Sequence, residues 1–463
     1  MNTGTAEPPK LSRVDTSRVE DMLEAETGRF VRLHPRSAEL AERGRRSMPR
    51  GVPLHWMANW PTPYPIHLAG AEGARLEDVD GNVYADFCLG DTGAMFGHAN
   101  PIVVEAIREQ VARGSTTMLP TEDGAYVGEE LARRFGLPYW QFATSATDAN
   151  RFAIRIARVV TGREKVLVFN GKYHGSVDET QVALHGGQMV PQPGVAPNAV
   201  DFARTTKVCE FNDVAALEAA LAPGDVACVL TEPVLTNVGV VPAEPGFHET
   251  LRALTRRTGT LLLIDETHTI STGPGGYTMA HSLEPDLFVL GKSIAGGIPA
   301  AVYGMTEEIA AAFERYTAKD GHKISHAGFG GTLVGNALTM RALRVTLERV
   351  MTDAAYEHMA ALAERFERGV QDGVRSHNLP WHVTRLGARV EYLFNDRPPH
   401  NGGEAKRLRA ATLEAALHLY LLNRGVLLTP FHNMALMCPA TTESDVDAHT
   451  SIFAECLDTL VSR

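Results

Sequence analysis

Two polar side chains directly follow apolar segments that predict buried strands. Lys292 comes after residues 287–290 and Gly291, and Asp265 closes the segment 261–265. The carboxyl ends of parallel strands meet at one sheet edge, where α/β proteins build their sites, so an amine and a carboxylate would lie together there. A lysine in such a place can act as a nucleophile. Taken singly, a surface lysine and a strand-end carboxylate in a helix cap or an ion pair are the alternatives.

A third segment could bind an anion. Residues 142–158 begin with the hydroxyl residues Thr144, Ser145 and Thr147 and continue with apolar residues at helical spacing. The free N–H groups at a helix N-terminus attract anions, although an ordinary Ser/Thr cap is the alternative. A lysine that forms a Schiff base, an acid that keeps a pyridine nitrogen protonated and a phosphate cradle are what pyridoxal phosphate requires. The three segments together predict a site for this cofactor.

The elements that must position these residues follow an alternating pattern. Short apolar segments alternate with amphipathic helical patterns between residues 100 and 335, which predicts a mainly parallel sheet covered on both faces. Long helical patterns at 336–373 and 404–424, with strand-like pieces near 389–394 and 425–429, predict a smaller α+β domain. We therefore divide the chain into an N-terminal helix and arm (1–75), a large cofactor-binding domain (76–335) and a C-terminal small domain (336–463).

Composition excludes several classes of protein. The 463 residues carry 44 Lys and Arg against 55 Asp and Glu, a net charge of −11, so binding to nucleic acid is not expected. No apolar run reaches the length of a membrane span. Five scattered cysteines without Cys/His clustering predict neither disulfides nor a metal site, and they favour the reducing cytoplasm.

Seven motifs, three of which overlap the segments described above, carry a resemblance to a known family. They are DVDGNVYADF (78–87), FGHANPIVVEAI (96–107), TSATDANRFAIRIARVVTGREKVLVFNGKYHG (144–175), TEPVLTN (231–237), LLLIDETH (261–268), LGKSIAGGIPAAVYG (290–304) and GTLVGNALTMRAL (331–343). In this order they resemble the class III aminotransferase family of fold-type I pyridoxal phosphate enzymes, especially its glutamate-1-semialdehyde aminomutase-like branch. The resemblance implies a large, mainly parallel sheet domain of the seven-stranded type and a smaller α+β domain.

The resemblance also implies roles for individual residues. Lys292 would form the Schiff base and carry the proton between substrate and cofactor, Asp265 would pair with the pyridine nitrogen, and Tyr173 would stack on the ring. Thr332 would reach the phosphate of the neighbouring subunit, which implies a homodimer with shared active sites. The implied cofactor-binding residues are Ser145, Ala146, Thr147, Tyr173, Glu232, Asn237, Asp265, Thr267, Lys292 and Thr332.

Several positions depart from the family pattern. Ala146, Thr267 and Thr236 replace the usual glycine, valine and glycine. Met57 and Met434 stand where the aminomutase branch has a carboxylate-binding arginine and an acidic gate residue. Losing a guanidinium removes a bidentate partner for a carboxylate. A more apolar substrate pocket is one interpretation, and aromatic residues that only pin the arm to the surface are the other; the candidate pocket residues are Trp56, Met57, Trp60 and Met434.

These observations favour a transaminase that moves an amino group from an amine or amino acid to a keto or aldehyde acceptor by a ping-pong mechanism. The alternative is an aminomutase or racemase, which converts one substrate without a second partner. An inactive binding protein on the same fold is a third reading, against which the retained lysine, aspartate and tyrosine argue.

Overall fold

The computed structural model describes residues 11, 13–196, 199–318, 328–430 and 432–461. Its α-helices are α1 (Thr16–Leu33), α2 (Pro35–Gly44), α3 (Pro101–Arg113), α4 (Glu122–Phe135), α5 (Ala146–Thr161), α6 (Phe202–Thr205), α7 (Val214–Leu221), α8 (Phe247–Thr258), α9 (Gly276–Ala280), α10 (Glu307–Thr317), α11 (Ala337–Val345), α12 (Asp353–Ser376), α13 (Gly402–Arg407), α14 (Ala411–Leu422) and α15 (Glu443–Leu460). Its strands are β1 (Leu68–Glu72), β2 (Arg75–Asp78), β3 (Val83–Asp86), β4 (Tyr139–Ala143), β5 (Lys165–Phe169), β6 (Val182–His185), β7 (Gln188–Pro191), β8 (Thr206–Cys209), β9 (Val226–Thr231), β10 (Leu261–Asp265), β11 (Leu287–Leu290), β12 (Ala301–Met305), β13 (His382–Leu386), β14 (Arg389–Leu393), β15 (Val426–Leu427) and β16 (Met434–Leu436). Among the helices described, none has both the length and the apolar character needed to cross a bilayer.

The chain divides into two compact units. One comprises residues 1–100, 354–398 and 407–463, and the other comprises residues 101–353 and 399–406. The sequence-based boundaries after residues 75 and 335 stay predictions; residues 76–100 group with the first unit and residues 336–353 with the second.

The second unit contains a seven-stranded sheet with the order β4-β12-β11-β10-β9-β5-β8. The pairs from β11 through β10, β9 and β5 to β8 are parallel, whereas β12 runs antiparallel to both of its neighbours. This arrangement confirms the predicted large, mainly parallel sheet. In register, Asp265 lies opposite Val289, and Ile264 lies opposite Thr231. The segments that leave β9, β10 and β11 therefore begin at one edge of the sheet.

Alternating side chains along each central strand cover both faces of this sheet. Leu263 packs in one core cluster with Ile156 of α5, whereas Leu262 and Ile264 pack in a second cluster with Leu251 of α8. Burying a leucine or isoleucine side chain contributes roughly 1.5–3 kcal/mol. A strand that is apolar on both faces needs helices on both sides, and this is why short apolar runs alternate with amphipathic helices in the sequence.

The first unit contains two smaller sheets. One has the order β1-β2-β3-β15 and the other the antiparallel order β13-β14-β16. Phe30 of α1, Tyr84 of β3, and Leu419 and Leu422 of α14 meet in a core cluster against the first of these sheets. A smaller α+β unit is thus present, as predicted.

The prediction of one helical stretch over 336–373 is wrong. Helix α11 runs into a π-helical segment, Thr346–Val350, and the chain leaves helical geometry at Met351 (φ −80°, ψ 61°) before α12 begins. The guanidinium of Arg134 donates to the carbonyl oxygens of Leu347 (2.6 Å) and Met351 (3.0 Å). It thereby satisfies carbonyls that a helix end leaves without an intrahelical partner.

Candidate active site

Most of the predicted site residues lie on segments that leave the same edge of the seven-stranded sheet. Glu232 directly follows β9, Asp265 is the last residue of β10, and Lys292 follows β11 after Gly291. Ser145 stands between the end of β4 and the start of α5. The topology alone therefore gathers chain segments that are up to 147 residues apart, from Ser145 to Lys292, at one place in the fold.

Asp265 is a buried carboxylate held by neighbouring donors. Its Oδ2 accepts from Asn150 Nδ2 at 2.8 Å and lies 3.0 Å from His174 Nδ1. Its Oδ1 accepts from the Thr267 hydroxyl at 2.7 Å and from the Thr267 N–H at 3.1 Å. Burial alone would raise the pKa of Asp265, but the hydrogen bonds from His174, Thr267 and Asn150 outweigh it and hold the pKa at about 2. The carboxylate is therefore ionised throughout the neutral range.

The N-terminus of α5 is packed closely by two glycines. Ser145 caps the helix by accepting from the Asp148 N–H at 3.2 Å. Gly175 has φ 76°, and a Cβ there would lie 2.0 Å from the Thr147 hydroxyl oxygen; a Cβ on Gly291 would lie 3.0 Å from that of Ala146. Only a residue without a side chain allows the approach at Gly175, whereas a side chain at Gly291 would force its neighbour to shift. The packing brings the segments that carry Tyr173 and Lys292 against the helix N-terminus.

Lys292 begins the short 3-10 helix Lys292–Ala295 in a left-handed conformation, with φ 58°. Its side chain is half-buried, and its Nζ lies 3.0 Å from Nε2 of His268. His268 is 7% exposed and stands in the turn that follows β10. A non-glycine residue with a positive φ is uncommon, and such strain concentrates at functional sites.

Glu232 and Asn237 lie in one hydrogen-bonded loop after β9. Glu232 is buried, and its carboxylate accepts from the Thr236 hydroxyl and, at 3.3 Å, from Asn237 Nδ2. Thr236, which replaces a glycine of the family pattern, therefore positions a carboxylate through its hydroxyl.

Tyr173 and Thr332 are the more exposed members of the predicted set. Tyr173 is 36% exposed and stands between the buried residues Lys172 and His174. Thr332 lies in an exposed turn before α11, next to the hydrogen bond from Val334 N–H to the Gly331 carbonyl (3.0 Å). Their roles toward a cofactor stay predictions.

The four candidate substrate-pocket residues all lie in the first unit, and they differ in exposure. Trp56 and Met57 are 39% and 47% exposed in the 3-10 helix His55–Ala58, whereas Met434 is fully buried in β16. Met57 and Trp60 line an apolar cavity of about 380 Å³. Trp60 also packs edge-on against the His418 ring at 5.6 Å. In this unit the arm therefore both anchors an aromatic residue and borders an apolar cavity.

Three residues of this site were not found from the sequence: Asn150, His174 and His268. His174 stands in the Tyr-His-Gly motif, in which only the tyrosine was assigned a role, that of stacking on the cofactor ring. Asn150 lies one turn into α5, and its 2.8 Å bond to Asp265 joins residues 115 apart. His268 closes the motif LLLIDETH. Their signal is three-dimensional, because each acts by touching a residue from another strand or helix.

The residues present fit pyridoxal phosphate. Asp265 is a buried anion at the sheet edge, which is the partner that a protonated ring nitrogen requires. The N–H groups of Ala146 and Thr147 head α5, a place that suits a phosphate. Nε2 of buried His174 and Oδ1 of Asn150 have no hydrogen-bond partner among the described residues, so these two side chains, which both contact Asp265, each keep one unused polar atom.

Comparisons with known proteins agree with this arrangement. The family Aminotransferase class-III matches residues 56–457. The glutamate-1-semialdehyde 2,1-aminomutase of Desulfitobacterium hafniense is 35% identical over 398 residues, which cover 83% of this chain and 88% of the relative.

Two solved structures extend the comparison to the fold. A glutamate-1-semialdehyde aminomutase from Pseudomonas aeruginosa PAO1 is 58% identical with a TM-score of 0.95, over 97% of this chain and 100% of the other, and a lysine-to-alanine variant of it has been solved in complex with PMP. An omega-transaminase from Sphaerobacter thermophilus is 30% identical with a TM-score of 0.83, over 92% and 97% of the two chains. The chain therefore belongs to the class III aminotransferase family of fold-type I enzymes, which use pyridoxal phosphate.

Proposed function

We propose that this enzyme is a pyridoxal phosphate-dependent aminomutase that moves an amino group between neighbouring carbons of one substrate. The observation that carries the proposal is the 58% identity, over 97% of the chain, to a glutamate-1-semialdehyde aminomutase. Glutamate-1-semialdehyde is accordingly the first substrate to test. On the sequence alone the aminomutase is the alternative; with this identity it becomes the first candidate and the transaminase the second.

The proposed roles are those that the family implies, and the position of these residues at the sheet edge supports them. Lys292 bonds to the cofactor aldehyde and carries protons to and from the substrate carbon. Asp265, ionised because its pKa is about 2, keeps the ring nitrogen protonated. The N–H groups of Ala146 and Thr147, with the Ser145 hydroxyl, bind the phosphate. When bound, pyridoxal phosphate supplies an aldehyde that reacts with amines and a ring that withdraws electrons from the reacting carbon.

Further residues shape the space around the cofactor. Tyr173, on the segment packed against α5, stacks on the ring. Glu232 and Asn237 border the ring, and Thr267 fixes Asp265 through its hydroxyl bond of 2.7 Å. Thr332 binds the phosphate held by a second copy of the chain, so the proposed enzyme is a homodimer with shared active sites.

A transaminase is the second candidate. Met57, which stands where the aminomutase branch has an arginine, favours it, because a methionine offers no bidentate partner to a substrate carboxylate. Identity of 30% to an omega-transaminase is in keeping with this candidate. Its substrates would be an amine or amino acid donor and a keto or aldehyde acceptor.

One experiment separates the two candidates. The holoenzyme is incubated with glutamate-1-semialdehyde alone, and the product is analysed for transfer of the amino group from carbon 2 to carbon 1. The aminomutase converts the substrate fully without a second reactant, and the Lys292→Ala variant does not. If nothing is converted until an amino donor and a keto acceptor are supplied together, the transaminase replaces the proposal.

A further inference from the structure

The contact between Lys292 and His268 is not needed by any role assigned above. It joins Nζ and Nε2 at 3.0 Å between two turns that leave the neighbouring strands β11 and β10. An imidazole so close to the proposed reactive amine can direct that amine.

Hydrogen bonds to the buried residue Glu266 fix the turn that carries His268. Glu266, fully buried, accepts from the Thr269 hydroxyl at 2.6 Å and from the Tyr277 N–H at 3.0 Å. Its own carbonyl accepts from the Ile270 N–H at 3.0 Å. These bonds fix the backbone on both sides of His268, so its side chain starts from a fixed position in the turn.

The backbone of Lys292 is fixed as well. Gly291 packs on Ala146 so closely that a Cβ would lie 3.0 Å away, and Lys292 itself is held at φ 58°. A left-handed lysine persists only where the surrounding structure enforces it. The 3.0 Å contact therefore joins two side chains on enforced turns.

Hydrogen-bond chemistry sets the direction of this contact. A lysine ammonium has only donors, and the free amine that attacks an aldehyde after the ammonium loses a proton still has N–H donors, so Nε2 of His268 accepts in both forms when the imidazole carries its proton on Nδ1. A neutral imidazole fits this place, whereas an imidazolium would bring two cations together. The other ionisable groups of the same turns, Asp265 and Glu266, are bonded to their own donors.

We propose that His268 is a positioning residue for Lys292: its neutral imidazole accepts an N–H of the lysine and aims the amine at the cofactor aldehyde. The inference rests on the role of Lys292 in the proposed function, and it holds for aminomutase and transaminase alike. Because the acceptor is a single ring nitrogen, a side chain with an acceptor of similar reach replaces it, and an apolar side chain of similar size does not.

The test compares His268→Leu, which removes the acceptor, with His268→Gln, which restores one on a side-chain amide. The apoenzyme is mixed with pyridoxal phosphate, and the rate of covalent capture is followed by the visible absorbance and by borohydride trapping. Loss of one hydrogen bond to a charged group slows a step about tenfold or more. We expect this slowing in H268L and recovery to within about threefold of the unmodified rate in H268Q.

Two controls separate positioning from damage. Pyridoxine 5′-phosphate has no aldehyde, so its affinity reports the pocket without the covalent step, and H268L should bind it as the unmodified chain does. His281→Leu alters a histidine whose ring stacks on Tyr277 at 3.8 Å, and this variant should capture the cofactor at the unmodified rate.

Each outcome has one meaning. Equal capture rates in H268L and the unmodified chain overturn the inference, as does an H268Q variant that is as slow as H268L. Loss of pyridoxine 5′-phosphate binding in H268L makes His268 a structural residue and also overturns it. If the unmodified chain captures no pyridoxal phosphate at all, the role of Lys292 and the proposed function fail instead.

Discussion

Gly175→Ala tests the packing that joins the Tyr173 segment to the N-terminus of α5. A Cβ at Gly175 would lie 2.0 Å from the Thr147 hydroxyl oxygen and 2.8 Å from its Cα and Cβ. Two costs add: the left-handed backbone, roughly 1–2 kcal/mol for an alanine, and overpacking, roughly 1–3 kcal/mol. We expect G175A to lose about 2–5 kcal/mol of unfolding free energy.

Gly186→Ala is the matched control. Gly186 has φ 57° in the turn between β6 and β7, and a Cβ there would meet no atom within 4 Å. G186A therefore carries the backbone cost without the collision, and we expect it to lose about 1–2 kcal/mol. The difference between the two variants isolates the contact with α5.

Two measurements on the apoenzyme complete this test. Urea unfolding gives the stability of both variants, and calorimetry gives the affinity for pyridoxine 5′-phosphate. Because the collision displaces the N–H groups proposed to bind phosphate, G175A should bind about tenfold more weakly or worse, since one charged hydrogen bond lost amounts to that factor. G186A should bind normally. Equal stability and equal affinity in the two variants would refute the close packing.

Three further predictions concern charge and assembly. His174→Leu removes a donor to Asp265 and should raise the pKa of that carboxyl above about 2. The apoenzyme should then lose roughly 1.5–3 kcal/mol of unfolding free energy at neutral pH, with partial recovery in His174→Asn. A loss of less than about 0.5 kcal/mol would contradict this. In the unmodified chain this contribution should vanish as the pH falls through 3.8 toward 2, because the folded-state pKa is lowered. Burial, and then a neighbouring ammonium, lowers the pKa of Lys172 from 10.5 to about 7. The unfolding free energy of the unmodified chain should therefore rise between pH 7 and pH 10 by up to about 3 kcal/mol more than that of Lys172→Met. Parallel pH profiles of urea unfolding for the two chains would count against it. Finally, Lys292→Ala chains, which should be inactive alone, and Thr332→Ala chains, which should be weakened alone, should together show more activity than either variant, because one hybrid site carries neither substitution. No gain in a hybrid identified by native mass spectrometry would argue against shared sites.

Much of the fold could be predicted because hydrophobic burial dictates it. Strand β11 has the predicted limits, 287–290, since all four of its apolar residues are buried in the sheet. Strand β4, Tyr139–Ala143, was missed because its polar and aromatic residues include exposed positions, so its sequence lacks a continuous apolar run. The break after α11 depends on carbonyls bound by Arg134, more than 200 residues away along the chain, and no local pattern records such a bond.

The site could be predicted where strand ends dictate it. Lys292 and Asp265 were found because residues that follow parallel strands share a sheet edge. The partners of those two residues, His268 and His174, could not be found, since their contacts depend on how turns after different strands face each other. Thr267 was predicted to bind the cofactor, and that stays a prediction; in the structure its hydroxyl donates to Asp265 at 2.7 Å, a bond that no local pattern showed.

The most direct measurement of the central claim is the site of covalent attachment. The holoenzyme is reduced with borohydride, digested, and mapped by mass spectrometry for the lysine that carries the cofactor. We predict attachment at Lys292. Attachment at Lys172, whose buried amine has a pKa of about 7 and is partly neutral at physiological pH, or at any other lysine, would contradict the account.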